Sequence, residues 1–213
     1  MSSYVLWDWN GTLLDDVRPE VAALNTLLAE RGLPPIDIAF FREQFSYPVR
    51  PFYERLGLYR EGEDWQALAS AFHRLYYSYE MTLHPEALAI LRALRERGVG
   101  QSIISAHRQD LLTRDVVRLG VAPFMEHVCG SDNLDGASKL DRALELLAAL
   151  RARPCPPDDI VVIGDSFHDF DVARRLGVRV VLHGEGTHSA GRLKAVAPAY
   201  DTLREAVRAA LGF

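Results

Sequence analysis

The sequence predicts an α/β fold, a doubly wound parallel sheet with a small all-helical domain inserted after the first strand. Three observations predict it. Short apolar runs at residues 4–9, 99–105, 160–164 and 178–182 have the length and flanking turn residues of buried strands. From Glu86 onward such runs alternate with amphipathic helical stretches. Residues 17 to about 80 break that rhythm and carry helical periodicity alone. Strands separated by helices run parallel, with right-handed crossovers that place helices on both faces.

The elements follow in order. Residues 4–9 form a strand that Asn10-Gly11 turns away. Val17, Val21, Leu24 and Leu28 share one helical face, ended by Gly32 and Pro34-Pro35. Trp65, Leu68, Phe72, Leu75 and Tyr79 mark a second helix, and the aromatic, proline-punctuated stretch between the two carries no strand signal. A helix over 86–97, with Leu88, Leu91 and Leu94 in register, stops at Gly98. The strand 99–105, a helix over 109–119 ended by Gly120, and a strand over 127–130 come next. A helix over 138–150 aligns Leu140, Leu144 and Leu147; the strand 160–164 leads to a helix over 169–176. The strand 178–182 and a helix over 202–211 complete the pattern. The expected division is a core of residues 1–15 and 83–213 and a helical insertion of 16–82.

With 213 residues the chain can bury one good core plus an accessory domain. A net charge of −5 without a basic stripe argues against nucleic-acid binding. No apolar run could span a bilayer, no leader pattern opens the chain, and its two cysteines, Cys129 and Cys155, lack metal-ligand spacing. A cytoplasmic monomer or homodimer with reduced thiols, small-molecule partners and no membrane contact is expected. Lysine occurs only at Lys139 and Lys194, so any motif that requires lysine has two places to land.

Four separated pieces carry the chemistry. They are Asp8-Trp9-Asn10-Gly11-Thr12-Leu13 after the first strand, Ser105 in Ile103-Ile104-Ser105-Ala106-His107, Lys139 heading a helix, and Gly164-Asp165-Ser166-Phe167-His168-Asp169 after the strongest strand. In open α/β sheets, strand ends of this kind receive ligands. Singly each has an ordinary reading: Asp8 a turn residue, Asp165 a helix N-cap, Ser105 a cap for the next helix. Together, and in this order, they resemble the motifs of the haloacid dehalogenase superfamily, and the helical insertion resembles its cap domain. The phosphoglycolate phosphatase branch is the most similar.

The resemblance implies a phosphomonoester hydrolase. Phosphoryl transfer needs an in-line nucleophile and neutralisation of the phosphoryl oxygens. A carboxylate such as Asp8 can take the phosphoryl group and split one hard step into two. Mg²⁺ would screen the substrate from it, a hard cation held by a few oxygens. The resemblance assigns the metal to Asp8, the Asn10 carbonyl and Asp165, with Asp169 a further carboxylate that binds through water or holds Lys139. Phosphate would lie on Gly11, Thr12, Ser105, Ala106 and Lys139. Arg50, Tyr53, His73, His107 and His168 are the candidate substrate contacts, although a surface or structural role is the simpler reading of both His107 and His168. Asp15, Asp16 and Asp171 read as capping or solvated.

One position departs from the family. The first motif usually has a second aspartate that protonates the leaving oxygen and later deprotonates the hydrolytic water, and here Asn10 stands in its place. An amide exchanges no proton near neutral pH. General acid–base help is worth about 10²–10⁴ in rate, so the expectation is a phosphatase that is slow, selective for good leaving groups, or served by another base. Two alternatives share these residues: a catalytically degenerate relative that binds a phosphorylated ligand or a partner, and a dehalogenase. The metal carboxylate Asp165 argues against the second. A Schiff-base chemistry from the cap fails, because residues 17–80 contain no lysine.

Overall fold

The computed structural model describes residues 2–131 and 139–212. In chain order the elements are β1 (Ser3–Trp7), β2 (Leu14–Asp15), α1 (Val17–Glu30), α2 (Ile38–Gln44), α3 (Arg50–Arg55), α4 (Trp65–Tyr76), β3 (Thr82–Leu83) and α5 (Ala87–Glu96). They continue as β4 (Gly100–Arg108), α6 (Gln109–Arg118), β5 (His127–Ser131), α7 (Lys139–Arg151), β6 (Asp159–Gly164), α8 (Phe167–Leu176), β7 (Arg179–His183), α9 (Ala190–Leu193), β8 (Ala199–Tyr200) and α10 (Leu203–Leu211).

Six strands form one parallel sheet in the order β5-β4-β1-β6-β7-β8. The order reverses at β1, which lies between β4 and β6, so the crevice expected of such sheets opens at its carboxyl end. Side chains of β1 alternate as strand geometry requires. Val5 and Trp7 pack into the cluster that holds Leu91, Leu112 and Val207, and Tyr4 and Leu6 into the one that holds Leu147, Val172 and Leu176. Both faces of the sheet are therefore covered, α5, α6 and α10 on one and α7 and α8 on the other. This confirms the doubly wound sheet.

Residues 17–76 are helical and carry their own core, with Leu24, Leu28, Phe41, Phe52 and Leu58 at its centre. Where the chain leaves and re-enters the sheet domain, β2 and β3 pair antiparallel, Leu14 opposite Leu83 and Asp15 opposite Thr82. This ribbon escaped the sequence pattern because each strand has only two residues.

Several boundaries moved for identifiable reasons. The first strand ends at Trp7, and Asp8 and Trp9 already belong to the turn. The strand expected over 99–105 continues to Arg108, with a register shift between Ile104 and Arg108 against β5. The helix after β6 starts at Phe167, because Ser166 caps it and Asp169 closes a capping box. Asp165 is thus not the N-cap. Leu88 and Leu144 are exposed; α7 buries Leu147 as expected, together with Ala143, Leu146 and Leu150. Two short helices, α2 and α3, occupy the proline-punctuated stretch, α2 capped by the Asp37 side chain. The expected start of α7 at Ser138 lies outside the described residues.

Candidate active site

The site grows from the carboxyl ends of β1, β4 and β6. Asp8 follows β1 directly, and its amide donates to the Ile163 carbonyl of β6 at 2.9 Å. Asp165 follows β6, and Asp169 stands one helical turn further on, inside α8. Asp8, Asp165 and Asp169 are all buried and can each offer an oxygen within 4.8 Å of the others. Lys139, the first residue of α7, reaches into this group with an exposure of 2%. Its Nζ donates to Asp8 Oδ1 at 2.5 Å and to Asp169 Oδ1 at 2.6 Å. An ammonium in the first turn of a helix faces the wrong end of the dipole; the two carboxylates are what hold it there.

Three carboxylates against one ammonium leave net negative charge in a dry place. Burial, then Asp169, hold the Asp8 carboxyl well above its usual range despite Lys139. Burial and Asp169 push Asp165 up to about 7. Asp169 goes the other way: burial opposes its charge, but Lys139 and Ser166 outweigh it and lower its pKa. Burial likewise opposes the Lys139 charge, and Asp169 and Asp8 raise it. Asp165 accepts from the Thr187 amide at 2.5 Å and from Thr12 Oγ1 at 3.3 Å. An all-oxygen, electron-rich cluster of this kind fits a hard divalent cation.

Removing the ammonium exposes the same imbalance. Lys139→Met should destabilise the fold by about 3–5 kcal/mol at pH 8, because it strands two buried carboxylates. The loss should shrink at pH 5, where those carboxyls take up protons instead of holding charge. Urea unfolding of both proteins at the two pH values, without divalent cation, measures it.

Other expected residues fall close by. Gly11 has φ +75°, and a Cβ there would overlap the Asp165 carboxylate, so glycine alone fits the turn. Ser105 is 1% exposed, and its Oγ accepts from the His107 amide at 3.0 Å. It does not cap α6, whose N-cap residue is Arg108. Ser105, Ala106, His73, His107 and His168 join Asp8, Asn10, Lys139 and Asp165 around one cavity of about 360 Å³. Burial lowers both His107 and His168 to about 4, so each is a neutral ring at pH 7. Arg50 and Tyr53 do not line this cavity; they wall a neighbouring one.

Around Asn10 the structure corrects the sequence reading. Asp16 was expected to cap or to face solvent, yet it is 2% exposed and makes no side-chain cap bond to α1. Its Oδ1 accepts from the Gly11 amide at 2.7 Å, and its Oδ2 accepts from Asn10 Nδ2 at 2.6 Å and Tyr76 Oη at 2.5 Å. Asn10 Nδ2 also donates to Tyr76 Oη at 3.0 Å. Burial raises the Asp16 carboxyl against those three donors. Glu20, one turn later in α1, also lines the cavity, and burial and Asp16 hold it well above its usual range. Asp171, at the cavity rim on α8, is exposed as expected. The missed residues are Asp16, Glu20 and Tyr76.

Two arginine side chains tie the helical segment to the sheet domain through backbone carbonyls. Arg42 Nε donates to the Gly186 carbonyl at 2.9 Å, and its other arm reaches the Glu185 carbonyl. Arg192 donates back to the Arg42 carbonyl at 2.7 Å and the Phe45 carbonyl at 3.2 Å.

Known proteins resemble this arrangement. A family model described as haloacid dehalogenase-like hydrolase matches residues 5–183. A phosphoglycolate phosphatase of Caulobacter vibrioides is 30% identical over 185 residues, 84% of this chain and 77% of that protein. One from Chromobacterium violaceum is 25% identical over 94% of this chain and 96% of its own length. Among solved structures, protein tyrosine kinase A of Mycobacterium tuberculosis superposes with a TM-score of 0.78 at 26% identity, over 99% of this chain and 98% of that one.

Proposed function

The chain belongs to the haloacid dehalogenase-like hydrolase family and is one of its phosphatases, and on that premise we propose a Mg²⁺-dependent phosphomonoester hydrolase that works through an aspartyl-phosphate on Asp8. The observation that carries this reading is the convergence of Asp8, Asp165, Asp169 and Lys139 in one buried cluster. Phosphatase relatives covering most of the chain support it.

Residues 16–82 act in this reading as a lid over the core, whose closure excludes water from the site. Ser105 Oγ and the Lys139 ammonium hold the phosphoryl oxygens, with Gly11, Thr12 and the Ala106 backbone beside them. The Asp8 carboxylate attacks phosphorus, and the bond to the leaving oxygen breaks. Water then attacks the phosphorus of the aspartyl-phosphate, which frees phosphate and restores Asp8. The first step asks for a proton at the leaving oxygen and the second for removal of one from water. Asn10 supplies neither; it spends its amide hydrogens on Asp16 and Tyr76. Acid–base help is accordingly weakened, or supplied by a different group. Asp8, Asp165, the Asn10 carbonyl and, through water, Asp169 would hold Mg²⁺, which supplies charge neutralisation for the phosphoryl oxygens.

The cation preference follows from charge. Mg²⁺ binds the ionised carboxylates, and protons compete for Asp165 below its pKa of about 7. The rise in melting temperature on replacing EDTA with millimolar Mg²⁺ should therefore be small at pH 5 and reach its plateau near pH 8. A rise that is flat across this range contradicts the assignment. The reading as a whole is tested by phosphate release from sugar phosphates, nucleotides, phosphoglycolate and acetyl phosphate. Mg²⁺-dependent, EDTA-sensitive turnover of at least one is expected; turnover of none overturns it.

A further inference from the structure

The cavity over Asp8 shares a wall with a second cavity of about 410 Å³ inside the helical segment, formed by Glu20, Tyr47, Val49, Phe72, His73 and Ala106. The second chamber is built from rings. Tyr53 meets Trp65 edge to face at 5.5 Å and Phe72 at 6.2 Å. The Arg50 guanidinium lies over the rings of Trp65 at 5.1 Å and Tyr59 at 5.3 Å. The first chamber adds Phe45 and Tyr76.

Charge in the first chamber runs against a second anion. Among the described residues that line it, Lys139 is the single lysine or arginine, and Asp8 and Asp169 hold it. Beyond the catalytic cluster the wall carries Asp16, Glu20 and Asp171. A carboxylate attached close to the substrate phosphate would meet acids and find no cation. An uncharged ring meets aromatic faces instead, with favourable stacking and burial. Two ring nitrogens, His73 Nδ1 and His107 Nε2, are buried without a partner, although both residues line the first cavity. Burial lowers both imidazoles, which suits them to a polar atom of an uncharged ligand.

Resting on the phosphatase reading, we propose that the preferred substrate is a phosphomonoester whose alcohol carries an uncharged planar ring, seated against the wall that Phe72, Tyr53 and Trp65 form, with no second anion near the phosphate. The ring selects by apolar burial in the second chamber, and the acids of the first chamber select against small phosphorylated carboxylic acids such as phosphoglycolate.

Binding and turnover test it separately. Calorimetry in Mg²⁺ compares phenylpropylphosphonate, propylphosphonate and phosphonopropionate, which differ only in the ring and the carboxylate. The phenyl compound should bind at least about tenfold tighter than the propyl one, and the carboxylate compound more weakly than either. Trp65→Ala, or Phe72→Leu if the first folds poorly, should bring the phenyl-to-propyl ratio toward one. A ratio within about twofold in the wild type, carboxylate binding as tight as phenyl, or no binding at all overturns the proposal. Turnover of phenylpropyl and propyl phosphate, whose alkoxides are of matched basicity, reads the other claim. If the binding ratio holds but neither these nor acetyl phosphate and p-nitrophenyl phosphate, whose leaving oxygens need little proton help, are hydrolysed, the ligand class stands and the phosphatase reading falls. If both are hydrolysed without a ratio, the reverse is true.

Discussion

Asp8→Asn should lower turnover by about 10⁴-fold or more while leaving the fold intact. Loss of a nucleophile removes the covalent route altogether, and what survives is binding and electrostatics. Asparagine has nearly the shape of aspartate, and its carbonyl oxygen can still accept from Lys139 Nζ, now 2.5 Å from Asp8 Oδ1. The substitution also deletes one of three carboxylates crowded within 4.8 Å. Stability should thus hold or rise, and the melting temperature without divalent cation should not fall. Near wild-type turnover in a preparation shown by mass spectrometry to be free of Asp8 would remove this residue as nucleophile.

Asn10→Asp should raise the rate on alkyl phosphates by about 10²-fold, with much less gain on p-nitrophenyl or acetyl phosphate. Aryl and acyl oxygens leave as stable anions and need little proton help; alkoxides need it. The structure adds a reason that the new carboxyl can carry a proton. Asn10 Nδ2 is 2.6 Å from Asp16 Oδ2, so aspartate at this position would face a second carboxyl, and such pairs retain one proton between them. Wild-type enzyme should conversely favour aryl over alkyl phosphates. Asn10-Gly11 is a deamidation-prone pair, so mass spectrometry of the enzyme must accompany the assay. Equal wild-type rates on the two classes, with no gain in the variant, would mean that another group already does the work. The residue to substitute next is then Asp16, through Asp16→Asn. Burial holds His107 and His168 near 4 and leaves them without a proton to give at pH 7.

Much of the core was legible because its signals are local. Asp8 and Asp165 follow, and Ser105 closes, runs that apolarity marks, and parallel topology then brings them to one edge of the sheet. Lys139 was legible by scarcity, since only one other lysine exists. The environment of Asn10 was not legible. Asp16 precedes a helix, where an aspartate ordinarily caps; its burial is imposed by Tyr76, 60 residues away in α4. Glu20 reads as a first-turn acid that favours the helix dipole, and only the fold places it at a cavity wall. The ribbon of β2 and β3 and the edge strand β8 have two residues each, too few for any period to register. The wall formed by Arg50 and Tyr53 belongs to a second chamber that no spacing in the sequence reveals.

The covalent step is the centre of the account, and one measurement reaches it directly. Enzyme turning over acetyl phosphate in Mg²⁺ is quenched in acid, reduced with borohydride and digested. An acyl phosphate on Asp8 is converted to homoserine, which mass spectrometry locates in the peptide that contains Trp7 and Trp9. The account predicts homoserine at position 8 in the wild type, more of it than in Asn10→Asp because no base at position 10 speeds hydrolysis, and none in Asp8→Asn. An enzyme that turns over under these conditions with position 8 unmodified, or with the label at another residue, contradicts it.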